Sequence, residues 1–507
     1  MAGDRISRLR VAMLVFTAAT LFIGEAAAQS PFDGLAERIE EERIAWGAPG
    51  LAIAVVQDDR AAFMGGFGVR DLATGRPVDE NTLFHVGSTT KAFTAAAIGL
   101  LVDEGALGWD DAVVAHLPEF RVADPYVTRA LTPIDLLTHR SGVQNTDLVW
   151  ARGVSSDGFL DFLPNAEQST SLRSAFEYNN GMYIAAGKLV EAVSGRPFTT
   201  FVRERLFDPL GMDRTTGPLS EIARRRNVAM SHDVIDGEMT PIGLTDYYDA
   251  GAAGLFYSSV SEYVNWIRIW LNEGVLGERR ILPEGYVERA FTPHMVLQRP
   301  IYPAAEAAGA DLFAYGLGWF LQEYRGRRVN MHTGSLDGMS AILGLMPEED
   351  VGVVVFINAD HIELRHALMY EVFDRVIDAK SGGEPRDWSG ELREIYGEIA
   401  DEAAARRAEA LAALDFDAPP LLALDAYEGV YVHKLFGEVE VRPAGSSLEL
   451  LVAPHFAYGL QYAGGHRFLA HPRKRYDDPF PIEFEIGGDN RPMRLTAFGQ
   501  AFDRKAQ

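Results

Sequence analysis

The chain has 507 residues, of which 47% are hydrophobic and 23% are charged, and this balance is typical of a folded protein rather than a disordered one. Its formal net charge of −25 argues against nucleic acid as a partner, because phosphate backbones bind positively charged surfaces. The absence of cysteine excludes thiol catalysis, disulfide bonds and lipid attachment through a cysteine.

The first residues have the pattern of a secretory signal. Arg5, Arg8 and Arg10 precede an apolar run from Val11 to Ile23, and three alanines, Ala26–Ala28, follow. We therefore predict a signal peptide over residues 1–28, a periplasmic or secreted protein, and no membrane span after cleavage. An uncleaved signal anchor is the alternative, although the run is short for a spanning helix of about 20 residues.

Two hairpins and a set of helices predict an α+β domain over residues 29–385. The predicted elements are a helix at Phe32–Trp46, a hairpin of Leu51–Gln57 and Ala61–Gly68, helices at Thr90–Glu104, Gly181–Val193, Thr200–Phe207 and Ser259–Asn272, a hairpin of Ala341–Met346 and Val351–Ile357, and a helix at His361–Ala379. The hairpins lie near opposite ends of this stretch, so we infer one antiparallel sheet, flanked by helices, with an all-helical region inserted. A cleft between sheet and helices is a common place for a site.

The last third of the chain has a different composition. Residues 386–420 form a predicted helical linker, since Trp388–Leu414 is rich in Glu, Ala and Arg at helical spacing. Residues 421–507 contain short alternating segments separated by Gly, Pro and Asp, which predicts a small all-β domain, either a sandwich or a barrel.

Ser88 and Lys91 form the most informative motif. They lie where an extended stretch, Thr82–Val86, meets a helical one, and residues three apart on a helix lie on one face. The Lys91 amine would then be within hydrogen-bond reach of the Ser88 hydroxyl, as an activated serine nucleophile requires. The alternative is that Ser88 only caps the helix while Lys91 points to solvent.

Acyl transfer by a serine also needs oxyanion donors and a way to move protons. Tyr178-Asn179-Asn180 precedes a predicted helix and offers a phenol and an amide. His332-Thr333-Gly334-Ser335 follows the strand-like segment Arg328–Met331, and its glycine permits close approach of the backbone to a ligand. A strand edge with a solvent-facing histidine is the alternative for this segment.

The three motifs together, in this order, resemble those of the serine β-lactamase and penicillin-binding protein superfamily, in its class C β-lactamase-like form. The resemblance covers about Phe32 to Ala379 and includes the segments Leu136–Gly142, Pro209–Met212, Gly251–Leu255 and Tyr315–Trp319. It implies that Ser88 is the acylated nucleophile, that Lys91 and Tyr178 share the general base and acid roles, and that Asn180 contacts the substrate amide. It also implies an oxyanion hole formed by the backbone N–H groups of Ser88 and Ser335.

One residue departs from the pattern of most members. Their third motif begins with lysine, whereas this chain has His332, which we expect to be a weaker cation that switches with pH. This departure argues against β-lactamase activity and resembles the D-aminopeptidase and esterase branch, whose members carry similar lipocalin-like C-terminal modules. The predicted substrate-binding residues are Asn180, His332, Thr333, Gly334 and Ser335.

The sequence therefore predicts a serine hydrolase that forms an acyl-enzyme on Ser88. Its substrate would be a small molecule or short peptide, cleaved at an amide, such as that of a D-amino-acid-containing or non-ribosomal peptide, or at an ester. A carboxylesterase, a β-lactamase or DD-peptidase, and a non-catalytic ligand sensor are the alternatives. We expect no cofactor and no metal, because His361 and His366 lack an accompanying acid at metal-binding spacing.

Overall fold

The computed structural model describes residues 30–244, 251–336, 338–360, 362–383, 385–474 and 478–506, so the predicted signal peptide and His361 lie outside the described residues. The helices within these ranges are α1 Leu35–Ala45, α2 Thr90–Asp103, α3 Val113–His116, α4 Pro125–Ala130, α5 Pro133–Leu137, α6 Asp147–Ala151, α7 Ser156–Phe159, α8 Asn180–Ser194, α9 Phe198–Val202, α10 Asp208–Leu210, α11 Leu219–Ile222, α12 Val260–Leu271, α13 Tyr286–Ala290, α14 Pro303–Ala307, α15 Leu364–Ser381 and α16 Trp388–Ala412. None of these helices has both the length and the apolar character needed to cross a membrane.

The strands belong to one large sheet, three small pairs and a barrel. In chain order they are β1 Gly50–Gln57, β2 Arg60–Asp71, β3 Arg76–Pro77, β4 Phe84–His85, β5 His232–Ile235, β6 Glu238–Pro241, β7 Tyr257–Ser258, β8 Val275–Leu276, β9 Arg279–Arg280, β10 Met295–Val296, β11 Phe313–Tyr315, β12 Phe320–Tyr324, β13 Arg327–Leu336, β14 Met339–Met346, β15 Val351–Ile357, β16 Gly429–His433, β17 Gly437–Ala444, β18 Ser447–Ala453, β19 Phe456–Tyr462, β20 Arg467–Pro472, β21 Phe480–Ile486, β22 Pro492–Ala497 and β23 Gln500–Arg504.

The large sheet joins the two ends of the predicted α+β domain. Its nine strands have the order β10-β11-β12-β13-β14-β15-β1-β2-β3, and the N-terminal strand β1 pairs antiparallel with β15, with Leu51 opposite Ile357. The inserted segment between β2 and β10 carries most of the helices. The predicted α+β architecture, with a sheet built from both ends and a helical insertion, is confirmed.

The side chains of β1 contribute to two apolar clusters, one on each face of the sheet. All of its residues from Gly50 to Val56 are buried, as expected for a strand covered on both faces. Leu51, Ile53 and Val55 belong to the apolar cluster that includes α1 and α15. The residues between them belong to a second cluster that includes Phe93 of α2 and Trp266 of α12. The sheet thus separates a helical layer of α1 and α15 from the larger helical region that holds α2.

The C-terminal part of the chain forms a closed barrel of eight antiparallel strands, β16 to β23, in which β16 pairs with β23. Its interior is filled by side chains: Tyr431, Phe468 and Phe484 are all buried, and the rings of Phe468 and Phe484 lie 5.5 Å apart. The predicted barrel-like domain is confirmed. Helix α16 precedes it, and Trp388 at its start donates to Asp374 of α15 at 2.7 Å.

Candidate active site

Ser88 lies in a single 3₁₀ turn, Gly87–Thr89, between β4 and the start of α2. This placement puts Lys91 on the first turn of α2, and the Lys91 Nζ to Ser88 Oγ distance is 2.9 Å. Ser88 is partly exposed whereas Lys91 is 0% exposed, so the serine is accessible from solvent while the amine lies in the interior. The alternative in which Lys91 points to solvent is therefore wrong.

The surroundings of Lys91 contain three oxygen atoms and two aromatic rings. Besides Ser88, Nζ donates to Asn180 Oδ1 and to the carbonyl of Ala253, each at 2.8 Å. The ring centroids of Tyr178 and Tyr183 lie 4.8 and 5.2 Å from Nζ. Burial lowers the pKa of Lys91 to about 7. Lys91 can therefore lose its proton near neutral pH, which a general base must do.

Tyr178 is the second candidate for proton transfer, and its ring centroid lies 4.8 Å from Lys91 Nζ. It is half-buried, and its ring packs against that of His139 with centroids 4.2 Å apart. Desolvation by these neighbours raises the pKa of Tyr178 well above its ordinary value, and a hydrogen bond with Ser88 opposes the shift. Tyr178 is therefore a neutral phenol at neutral pH, which suits proton relay rather than a resting role as phenolate base.

Asn180 is the first residue of α8 and connects two ionisable groups, Lys91 and Asp147. Its Oδ1 accepts from Lys91, and its Nδ2 donates to Asp147 Oδ1 at 3.1 Å. Asp147 begins α6, and its negative charge raises the pKa of Lys91, against the larger effect of burial. The sequence motifs did not identify Asp147, because only the fold brings it to a motif residue 33 positions away.

The third motif lies inside strand β13, between β12 and β14, and not after the end of a strand as the sequence predicted. His332 is 1% exposed, its Nδ1 donates to the Thr333 carbonyl at 2.6 Å, and its Nε2 accepts from the Tyr315 hydroxyl at 2.9 Å. Burial lowers the pKa of His332 to about 3. The expectation of a pH-switched cation at His332 is therefore wrong near neutral pH, and so is the alternative of a solvent-facing histidine.

Two glycines allow the first and third motifs to touch through their backbones. Gly87 has φ +53°, and a Cβ atom added to it would lie 2.6 Å from the backbone N of Ser335. A Cβ atom added to Gly334 would lie 2.0 Å from the Val86 carbonyl oxygen and 3.0 Å from the backbone N of Ser88. The backbone amides of Ser88 and Ser335, expected to form the oxyanion hole, therefore lie where the two segments meet.

A family model described as "Beta-lactamase" matches residues 35–374, about two thirds of the chain. The chain belongs to this family. The predicted superfamily resemblance is thus confirmed, and the protein is a serine hydrolase of the β-lactamase family.

Individual relatives extend the match beyond the family region. "Unguisins hydrolase ungD" of Aspergillus violaceofuscus is 29% identical over 449 residues, covering 81% of this chain and 77% of that protein. "Penicillin-binding protein 4" of Amycolatopsis lactamdurans is 29% identical over 336 residues, covering 65% and 86%. The structure of a penicillin-binding protein homologue from Pyrococcus abyssi aligns with a TM-score of 0.62 at 21% identity, covering 91% of this chain and 97% of that one.

Arg365 is a further residue at the third motif of this β-lactamase-family site that the sequence reasoning missed. It is 5% exposed, and its Nη1 donates to the Gly334 carbonyl at 2.7 Å and to Ser335 Oγ at 2.9 Å. Its other face forms a bidentate pair with Glu363, at 2.8 and 3.0 Å. Arg365 thus anchors the end of β13 while Glu363 neutralises its charge.

Thr333 and Tyr302 are neutral polar side chains at the third motif. Thr333 Oγ1 lies 2.7 Å from the Tyr302 hydroxyl, and burial raises the pKa of Tyr302 to about 12. His366 bonds to Glu363 at 2.7 Å. Across the described ranges, no group of three or more His, Asp or Glu side chains is arranged to hold a metal ion.

A separate cavity of about 730 Å³ lies beside the site, between the helical region and the barrel. Ile184 and Lys188 of α8, Phe198 of α9, and Pro454 and His455 of the barrel are among its lining residues. None of the eight predicted site residues lines it. Pro454 and His455 of the barrel therefore meet α8 and α9 at a cavity distinct from the eight motif residues.

Proposed function

We propose that this protein cleaves an amide or ester bond of a small substrate through an acyl-enzyme on Ser88, with a peptide amide, including one formed by a D-amino acid, as the first candidate. The observation that carries the proposal is the buried Lys91, with its pKa lowered to about 7, hydrogen-bonded to a partly exposed serine. A simple carboxylic ester is the second candidate, because an acyl-serine forms from esters by the same chemistry.

The hydrogen bonds of Lys91 match the needs of a neutral base. A neutral amine has two N–H donors and one lone pair. Once Lys91 has lost one proton, its two remaining N–H donors can stay on Asn180 Oδ1 and the Ala253 carbonyl, and its lone pair then faces Ser88 and can accept the hydroxyl proton. Ser88 Oγ then attacks the substrate carbonyl, and the backbone N–H groups of Ser88 and Ser335 donate to the developing oxyanion.

The leaving group needs a proton for the acyl-enzyme to form. Tyr178 is neutral and its ring centroid lies 4.8 Å from Lys91 Nζ, so it can pass a proton from Lys91 to the departing amine or alcohol. The same groups run in reverse for deacylation, in which a water molecule takes the place of Ser88 Oγ as the attacking nucleophile and Ser88 is released.

The charge of the third motif supports a substrate without an adjacent carboxylate. His332 is neutral near pH 7, and Arg365 is paired with Glu363, so neither supplies a free cation to the cleft. A substrate carboxylate would lose water contacts there without gaining an ion pair. This arrangement ranks β-lactamase and DD-peptidase activity below amide and ester hydrolysis.

The test compares D-alanyl p-nitroanilide with p-nitrophenyl butyrate at equal enzyme concentration, with Ser88→Ala as the blank and Ser447→Ala, on the exposed barrel surface, as the matched control. Anilide turnover that Ser88→Ala abolishes and Ser447→Ala retains supports the first candidate, and ester-only turnover supports the second. Efficient hydrolysis of nitrocefin, which carries a carboxylate, would overturn the ranking.

A fluorophosphonate probe separates an enzyme from a ligand sensor. Mass spectrometry of the intact protein should find one adduct, located on Ser88 and absent from Ser88→Ala. Failure of the wild-type protein to form the adduct, together with no turnover of any of the three substrates, would favour the non-catalytic alternative.

We also propose that the protein is exported, on the evidence of the arginines, apolar run and alanines of residues 1–28. N-terminal sequencing of protein recovered from expressing cells should then begin at Gln29. Recovery of the intact N-terminus from the cytosolic fraction would contradict export.

A further inference from the structure

Asp147 is joined to the base of the proposed hydrolase through a single amide side chain. Its Oδ1 accepts from Asn180 Nδ2 at 3.1 Å and from Trp150 Nε1 at 3.0 Å. The other end of the Asn180 amide, Oδ1, accepts from Lys91 Nζ at 2.8 Å. A carboxylate that no sequence motif identified is thus two hydrogen bonds from the Lys91 amine.

The chemistry of an amide makes this link directional. An amide carries its acceptor and its donors at opposite ends, so holding Asn180 Nδ2 against a carboxylate fixes Oδ1 toward Lys91. If the amide turned over, its oxygen would face the Asp147 carboxylate and its N–H groups would face the N–H donors of Lys91. Asp147 therefore selects the orientation in which Asn180 accepts from Lys91.

The far end of the helix that carries Asp147 contacts the barrel. The carbonyl of Ala151, the last residue of α6, lies 3.2 Å from His455 Nε2, and Arg152 Nη2 donates to the Glu438 carbonyl at 2.5 Å. Gly153 has φ +80°, and a Cβ atom added to it would lie 2.8 Å from the His455 ring. Three consecutive residues after Trp150 thus meet the start of β17 and the turn between β18 and β19.

We propose that Asp147 is a positioning residue that orients Lys91 through Asn180, and that the barrel supports the helix that carries Asp147. The proposal rests on the proposed function, in which Lys91 takes the proton of Ser88. It gives the barrel a role in the reaction without placing any barrel residue in contact with the substrate.

Titratable groups from several elements face Lys91. They are Asp147 of α6, His139 after α5, Tyr178 before α8, Tyr183 within α8, and His332 of β13. Burial lowers the pKa values of both histidines and raises those of both tyrosines, so these four are neutral near pH 7. A change in the charge at Asp147 should therefore be visible in the titration of Lys91.

The first experiment measures the titration of Lys91 directly and independently of turnover. The chain has six lysines, so protein labelled with ¹³C at lysine Cε gives few signals, and Lys91→Ala identifies that of Lys91. Asp147→Asn keeps the acceptor for Asn180 and Trp150 but removes the charge that raises the pKa of Lys91. We expect its midpoint to fall by about half a pH unit or more. An unchanged midpoint would overturn the role of Asp147.

Steady-state kinetics then distinguish the effect of the charge of Asp147 from the effect of its hydrogen bond to Asn180. The acid limb of kcat/KM for Asp147→Asn should shift to lower pH with its plateau retained, while Asp147→Ala, which also loses the acceptor, should lower kcat by on the order of 10- to 100-fold. Wild-type kinetics in both variants would overturn this inference alone. A wild-type protein that turns over no substrate would instead contradict the proposed function, and the NMR titration would still decide the contact.

The second experiment inserts one methyl group between the hydrolase domain and the barrel. Gly153→Ala should displace the His455 ring and lower kcat several-fold, whereas Gly158→Ala, whose Cβ atom would have no neighbour closer than 3.7 Å, is the matched control. Gly153 also has a positive φ, so Gly153→Ala could lower kcat through backbone strain alone. The double variant Gly153→Ala with His455→Ala removes the clash with the ring but keeps this strain, and so separates the two causes. Recovery of kcat in the double variant supports contact with the barrel as the cause. No loss in Gly153→Ala, or an equal loss in the double variant, would overturn the role of the barrel.

Discussion

Lys91 in the hydrolase domain and Glu449 in the barrel are both buried ionisable side chains, but their partners differ. Lys91 is 0% exposed and donates only to neutral oxygen atoms. Glu449 is 5% exposed and pairs with two arginines, Arg442 at 2.8 Å and Arg473. Two opposite charges offset the cost of burying Glu449, whereas burial of Lys91 without a contacting carboxylate lowers its pKa to about 7. Glu449, which contacts opposite charges, is therefore a structural ion, whereas Lys91, which contacts none, is reactive.

Arg365 and Glu363 show that the same contrast exists within the active site. Their bidentate pair lies directly behind Gly334 and Ser335, yet Glu363 compensates the guanidinium as the arginines compensate Glu449. The pair therefore holds the strand in place without adding a free charge to the cleft. Buried ionisable side chains therefore differ according to whether an opposite charge contacts them, and not according to the domain in which they lie.

The largest expected effect comes from replacing the unpaired amine with a cation that cannot lose its proton. Lys91→Arg keeps the positive charge, but arginine stays protonated at all working pH values, so the base is lost. We expect kcat for the preferred substrate to fall by on the order of 10³-fold. Lys188→Arg, an ion-paired lysine on α8, is the control, with thermal unfolding used to confirm that both variants fold. Turnover by Lys91→Arg within tenfold of wild type would rule out Lys91 as the base.

Removing the negative charge that pairs with Arg365 should lower the stability of the protein. Glu363→Gln leaves Arg365 buried without its counter-charge, and we expect a loss of about 3 kcal/mol in the free energy of unfolding at pH 7. The pKa of Glu363 lies below its unfolded value, so this contribution is complete above about pH 4.3 and is lost as the pH falls through the folded pKa. Urea unfolding at pH 7, with the exposed pair variant Glu402→Gln as control, measures the difference. A loss no larger than that of the control would contradict the pairing argument.

Much of the fold could be predicted from local patterns. Leu51–Gln57 and Val351–Ile357 are continuous apolar runs flanked by turn residues, and such runs become interior strands wherever they lie in the chain. The Ser88 and Lys91 contact is also local, because it requires only a helix start at the right residue. These features depend on spacing along the chain, which the sequence contains.

The electrostatics of the site could not be predicted in the same way. The sequence predicted that a strand would end at Met331, whereas β13 continues to Leu336 because β14 pairs with it through the motif, and this buries His332. Asp147 and Arg365 reach the motifs only through tertiary contacts. A residue type indicates which charge is possible, but burial and partners decide whether that charge is present.

The pH dependence of the reaction tests the lowered pKa of Lys91 without changing the sequence. With a pKa of about 7, the deprotonated fraction of Lys91 rises about tenfold between pH 6 and pH 8, and kcat/KM should rise with it. His332→Gln, which replaces one neutral side chain with another, should retain this acid limb. Rate profiles for the ester and the anilide measured from pH 5 to 9 give the midpoint. A flat profile over this range would mean that no group with a pKa near 7 limits the reaction.

The smallest effect is expected in the barrel. Arg442 and Arg473 are 40% and 59% exposed, so solvent screens their attraction to Glu449, and Glu449→Gln should lower the free energy of unfolding by only about 1 kcal/mol with kcat unchanged. Glu485→Gln, from an exposed barrel pair, is the control. Urea unfolding and ester turnover on the same samples give both quantities. A fall in kcat without a matching loss of stability would mean that the charge of Glu449 affects the active site, and Glu449 could then no longer be treated as a purely structural ion.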